Sequence, residues 1–221
     1  MRTAYHKRLD GLAAQLGEMC GLAGVAMKRA TQALLEADIS VAELVIREHE
    51  QLVAMRARAQ REAFALLALQ QPVAGELRAV FSSIHIIADT ERMGALAVHV
   101  AKIVRRECPK QVLPEDVREC FAEMARVAIT LGDSAKQVLT SRDLQQAAEL
   151  HQQDKAMDAL RMQLFSALID HEWKHSVSAG VEAALLGRFY ERFADHAVEI
   201  GRRVIFMGGG VIPTEGEKSI H

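Results

Sequence analysis

The sequence predicts an all-α protein built from two similar three-helix units, and three observations carry that expectation. Residues 91–104 return as residues 191–204 at an offset of 100, with Glu-Arg, Ala-Val and the final Val identical and Met93/Phe193, Val100/Ile200 and Lys102/Arg202 conservative. Residues 27–56 match 132–161 at an offset of 105, through Ala30/Ala135, Gln32/Gln137, Leu34/Leu139, Asp38/Asp143, Ala42/Ala147 and Arg56/Arg161. Repeats on this scale decide architecture. The third observation is composition: hydrophobic residues make up 50% of the 221 positions, aromatic residues only 5%, and there are 4 prolines. Ala, Leu, Met, Glu, Gln and Arg are straight-chain helix formers, and no alternating β-branched run reads as a strand.

The elements follow in order. Leu9, Leu12, Leu16, Met19, Ala23, Ala26, Ala30 and Leu34 recur at spacings of three and four, the stripe of one long helix. Asp38-Ile-Ser40 interrupts it and offers an N-cap for a second helix carrying Val41, Val45, Leu52, Met55, Ala59, Ala63 and Leu66. Gln71-Pro72 stops that helix. A third runs from about Val73 to about Glu107, with Glu76 near its positive end and Lys102, Arg105 and Arg106 near its negative end. Pro109 and Pro114 bracket the boundary between halves, after which helices are expected near 115–140, 143–170 and 180–207, ended by Gly208-Gly-Gly210. The resulting units are 1–108 and 109–210, with 211–221 a tail. The slip from 105 to 100 places a five-residue length difference in the turn between the second and third helices of each unit, where it costs little. Short connections make successive helices antiparallel neighbours.

Composition also bounds function. A net charge of −2 argues against a general nucleic-acid binder, which needs a basic stripe. Cys20, Cys108 and Cys120 are odd in number and lack CxxC spacing, which fits a reducing cytoplasm rather than a disulfide framework. The first residues lack a signal-peptide apolar region, and no apolar run approaches the roughly 20 residues of a membrane span. No phosphate-cradling glycine loop, nucleophile elbow, kinase or dinucleotide fingerprint is present, so no catalytic residue is assigned.

On the third helix of each unit, Ile86/Leu186, Met93/Phe193, Ala97/Ala197, Val100/Ile200 and Val104/Val204 form the inward stripe. Glu91 and Glu191 lie two residues before Met93 and Phe193, which at about 100° per residue puts both carboxylates on the outer side. Asp195 is one turn beyond Glu191 on the same strip. Such a strip suits a hard or iron-like cation, and it equally suits an ordinary solvated face.

Gln71-Pro-Val-Ala-Gly-Glu-Leu-Arg78, Asp89-Thr-Glu-Arg-Met-Gly94 and Leu186-Gly-Arg-Phe-Tyr-Glu-Arg-Phe-Ala-Asp-His-Ala197 resemble the PhoU family of phosphate-signalling regulators, in its actinobacterial branch. The likeness covers nearly the whole chain, duplication included. It implies two tandem three-helix bundles, each with a Glu/Asp-x-x-x-Asp motif on its third helix and an aspartate on its second, on which some members hold multinuclear metal clusters. Residue by residue, the second unit keeps Asp154, Glu191 and Asp195, whereas the first keeps Glu91 but has Ala95 and His49 at the other two places. Glu76 stands for the family's aspartate after Gln-Pro-Val-Ala. Ala95 removes two oxygen ligands, so the first site is expected to be weak or empty, and iron, zinc and magnesium remain open as the metal.

Around Glu91 the outward strip reads Ile84, Ala88, Ala95 and Val98, against Arg188, Asp195 and Arg202 in the second unit. An apolar outer strip suggests contact with another protein or a second subunit, unless a neighbouring helix of the same chain covers it. His171-Glu-Trp-Lys-His175 matches the HExxH pattern of zinc proteases, but it falls where a turn is expected, without a third ligand or a sheet. The resemblance implies a non-enzymatic cytoplasmic negative regulator, a homodimer, linking an ABC phosphate transporter to a sensor histidine kinase. The competing readings are a metal-dependent hydrolase, using the outer carboxylates or the His pair, and a structural helical dimerisation module.

Overall fold

The computed structural model describes residues 2–70, 72–171 and 173–211. Six helices occupy them: α1 (Arg2–Glu36), α2 (Ile39–Gln70), α3 (Gly75–Glu107), α4 (Glu115–Ser141), α5 (Leu144–Ile169) and α6 (Val177–Gly209). Among the described residues there is no strand. Of the expected tail only Val211, exposed, is described; 212–221 lie outside the described residues.

Side-chain caps fix the starts of α2, α5 and α6. The Asp38 carboxylate accepts from the backbone N–H of Ser40 and Val41, at 2.8 and 3.1 Å, and its repeat equivalent Asp143 accepts from Gln145 and Gln146, at 2.9 and 3.1 Å. Each aspartate follows a left-handed residue, Ala37 at φ 54° or Arg142 at φ 56°, so both turns stop one helix and start the next in the same way. α6 begins earlier than its apolar stripe suggested because the Ser176 hydroxyl caps Ala179 N–H at 3.2 Å. It ends with Gly210 at φ 76°.

α1, α3, α6 and α4 pack in a closed ring, each against the next, while α2 lies on α1 and α3 and α5 lies on α4 and α6. The inward stripes fill the ring. Ile86, Met93, Ala97, Val100 and Val104 are buried together with Leu186, Phe193, Ala197, Ile200 and Val204. A methyl group added at Gly132 of α4 would lie 3.2 Å from the Phe193 ring and 3.7 Å from Met93, so the two equivalent side chains meet at the centre. The Thr31 hydroxyl donates to Met27 O at 2.9 Å and thereby leaves a lone pair for the Tyr190 hydroxyl, 2.8 Å away, which satisfies both buried oxygens.

Along the α3–α6 seam, Phe81 meets Phe206 with ring centroids 6.5 Å apart, His196 meets Asp89 at 3.0 Å, His99 stacks on Phe189 at 5.3 Å, and Arg106 pairs with Glu182. The start of one helix therefore faces the end of the other. α3 and α6 run antiparallel, and their outward surfaces form one continuous face.

Candidate functional site

The carboxylates of the repeated motif do not stand on an open surface, as the 100° rule suggested. Side-chain exposure is 22% at Glu91 and 14% at Glu191. α2 and α5 overhang the strip, so each carboxylate lies in the groove between the second and third helices of its unit. There an arginine of the second helix meets it: Arg56 to Glu91 and Arg161 to Glu191, both at 3.4 Å. These arginines are repeat equivalents, so the ion pair is duplicated with the fold. Glu191 has a second clamp, Arg188 at 2.7 Å one turn away.

The second-unit groove brings together Asp154 from α5 with Asp195 and Glu191 from α6. Burial, then the charges of Asp195, Asp158 and Glu191, push the Asp154 carboxyl up to about 6, with Arg202 acting in the opposite direction. Asp195 is also raised, first by burial and then by Glu191. Burial and, after it, mutual repulsion thus both disfavour the charged forms of Asp154 and Asp195. The first-unit groove differs. His49 faces Glu91 there, and burial lowers the His49 imidazole while Glu91 acts the other way. Gly94 is what admits His49 so close to α3, because a Cβ at that position would run into the Leu52 side chain and sit 3.3 Å from the imidazole.

As the side chains stand, neither groove is a ready ligand set. Glu191 is committed to two arginines, and among the described residues no group of three or more His, Cys, Asp or Glu is gathered to hold a metal ion. A cation entering the second groove has to draw Glu191 away from Arg161 or Arg188.

The apolar strip on α3 needs a correction at one end. Ile84 and Ala88 are exposed and Ala95 is half-buried, but Val98 is buried at 7% exposure. Two heptads of drift, about 20° each, carry Val98 round from Ile84 toward the packed side of α3. The HExxH match is not a site on a helix either. α5 ends at Ile169, and His171 is 91% exposed beside Asp170 at 3.0 Å. His175 turns to Asp116 of α4 at 2.9 Å, and Glu172 lies outside the described residues. Trp173 packs on the core in this turn, its indole 3.6 Å from where a Gly180 Cβ would be.

Sequence reasoning passed over Arg56 and Arg161 as site residues. They were visible as one of the coincidences at offset 105, which marks a position held through the duplication, but spacing alone does not say which helix leans over which. No helix among the described residues is long and apolar enough to cross a membrane.

Comparison with known proteins places this architecture. The family model described as the PhoU domain matches twice, over residues 16–104 and 121–204. The chain is 72% identical, over all 221 residues and the full length of the relative, to "Phosphate-specific transport system accessory protein PhoU homolog 1" of Mycobacterium tuberculosis. It is 59% identical over 213 residues, covering 96% of this chain and 100% of the relative, to PhoU homolog 2 of the same species. The crystal structure of PhoU from Pseudomonas aeruginosa superposes with a TM-score of 0.88 at 24% identity, covering 94% of this chain and 100% of that one. With two matched domains and full-length relatives, the chain belongs to the PhoU family.

Proposed function

We propose that this chain is a cytoplasmic negative regulator of phosphate uptake and of the phosphate-starvation response, a non-enzymatic adaptor between an ABC-type phosphate transporter and a sensor histidine kinase. The observation that carries this reading is the full-length likeness to mycobacterial phosphate-transport accessory proteins. The fold supports it: six long helices around a shared core give rigid faces, and an adaptor shifts its partner by binding one of the partner's states more tightly than the other. Ile84, Ala88 and Ala95 on α3 are the part of the strip able to make such a contact, with a kinase or with a second subunit. Ala95→Lys is expected to weaken that contact, leave the thermal melt within a few degrees of wild type, and express starvation genes despite ample phosphate. Undiminished repression with unchanged binding would remove this strip from the reading.

A second reading concerns cations. The crowded carboxylates of the second unit would be relieved by a divalent or trivalent ion, with Asp154, Glu191 and Asp195 as the ligands, whereas Glu91 and His49 offer one anionic group between them. Any metal bound through the family motif therefore belongs chiefly to the second unit.

A further inference from the structure

Where α1, α3, α4, α5 and α6 converge at one end of the ring, the core opens into a cavity of about 360 Å³. Its walls are mainly the apolar side chains of Leu9, Leu16, Leu139, Leu144, Val204 and Met207. Charged groups line it toward solvent. Arg142, 58% exposed, pairs with Asp10 at 2.6 Å, and His6, 51% exposed, lies 3.3 Å from Glu76. The Ser83 hydroxyl is turned back to Ala79 O at 2.8 Å, so the interior favours hydrocarbon over polar atoms.

The duplication shows how this hollow arises. At the offset of 105, Ala13 and Leu16 correspond to Arg118 and Phe121, and burial keeps the same register, with Leu12 and Met19 buried like Val117 and Met124. At the opposite end of the ring the Arg118 guanidinium crosses from α4 to α1 and donates to Leu35 O at 2.8 Å, while the Phe121 ring packs edge-on against Tyr190 with centroids 6.0 Å apart. Ala13 has a single methyl group where Arg118 has that bridge, and Leu16 lacks the breadth of a ring. The space is bounded by both units, through α1 and α3 of the first and α4, α5 and α6 of the second, so a molecule that fills it touches both.

We propose that this cavity binds the chain of a free, medium-length aliphatic carboxylic acid, with the carboxylate at Arg142. At the ~30 Å³ that one water occupies in the liquid, the volume holds on the order of twelve heavy atoms, the number in decanoate. Apolar cavities of less than half this size already take up a small hydrocarbon, whereas a two-chain membrane lipid is too large to enter. The head is assigned by charge. The Arg142–Asp10 pair is exposed and therefore weak, so the guanidinium is readily redirected to a ligand. Arg78 adds a cation nearby, its guanidinium 3.8 Å from where a Cβ on the cavity-lining Gly75 would be, and its buried Nε has no hydrogen-bond partner among the described residues. Glu76, also in the lining, lies against His6. The cavity is separate from both carboxylate grooves and does not depend on the regulatory reading.

The test is isothermal titration calorimetry of the full-length chain with the sodium salts of hexanoic to tetradecanoic acid, each kept below the concentration at which it forms micelles. Saturable binding of one molecule per chain is expected, tightening about fourfold for each added methylene up to decanoate and gaining nothing further at tetradecanoate. Decanamide, which has as many heavy atoms but no charge, is expected to bind about tenfold more weakly than decanoate. Arg142→Asn, which suits the left-handed backbone at that position (φ 56°), should bring decanoate down to the level of decanamide and leave decanamide unchanged. Ala13→Leu fills the cavity and should weaken both ligands at least tenfold while the helical circular dichroism is kept; Ala79→Leu fills it from α3 and serves if the first variant does not fold. No saturable binding of decanoate at millimolar concentration would overturn the proposal. Affinity that climbs steadily through tetradecanoate, or that neither filling variant alters, marks adsorption on the surface and overturns it too. Decanamide binding as tightly as decanoate, with Arg142→Asn changing neither, would overturn the assignment of a carboxylate.

Discussion

At Asp154 burial and three neighbouring carboxylates act in the same direction, so the folded chain holds this proton more tightly than the unfolded chain does. With the carboxyl moved from its ordinary 3.8 to about 6, the folded state binds more protons between those values. Stability from this group is therefore greatest at low pH and declines as pH rises through 6. Asp154→Asn is expected to raise the melting temperature at pH 8, by about 2–4 °C if the relief is near 1 kcal/mol, and to make no difference at pH 4. A lower melting temperature at pH 8 would mean that the carboxylate is compensated. Phe193 tests the opposite kind of site. It is fully buried at the meeting point of the two repeats, so Phe193→Asp is expected to cost about 3–5 kcal/mol, read as lost cooperative melting or a greatly lowered midpoint. An unchanged melt would show that the ring does not sit in the core. Phe193 was legible from helical period alone, because burial on a regular helix repeats every 3.6 residues. The state of Asp154 was not, because it depends on how closely α5 approaches α6, a distance that no local pattern encodes.

The helices themselves were read from start and stop signals, and the error at Val98 shows where such reading ends. A strip is drawn on one helix, but what covers it is set by its neighbours, and α2 and α5 cover more of the outer side than an isolated wheel suggests. The same overhang turns Glu91 and Glu191 from surface carboxylates into groove residues paired with Arg56 and Arg161. The grooves differ by a few side chains, and that difference is measurable. If cations bind through the family motif, Asp195→Ala is expected to remove most of the metal found by elemental analysis, Glu91→Ala to change it little, and Ala95→Asp to raise the stoichiometry. Equal losses from Asp195→Ala and Glu91→Ala would contradict the asymmetry.

Duplication made the whole molecule legible, since one repeat of three helices predicts the other. Its offsets located the equivalent caps Asp38 and Asp143 as well as the central pair Met93 and Phe193. We propose 108/109 as the boundary between repeats, but the repeats share their core, with α1, α3, α4 and α6 closing one ring. Sequence gives no sign of that fusion, because apolar residues that pack within a unit look the same as those that pack between units. The central claim, that this shared helical body restrains the phosphate-starvation response, is tested most directly by deleting the gene and measuring starvation-gene transcription in high phosphate, with the intact chain restored as control. High expression is expected in the deletion strain, and repression when the chain is returned. Starvation genes that stay silent without it, in a strain that also lacks any second PhoU homologue, would contradict the account.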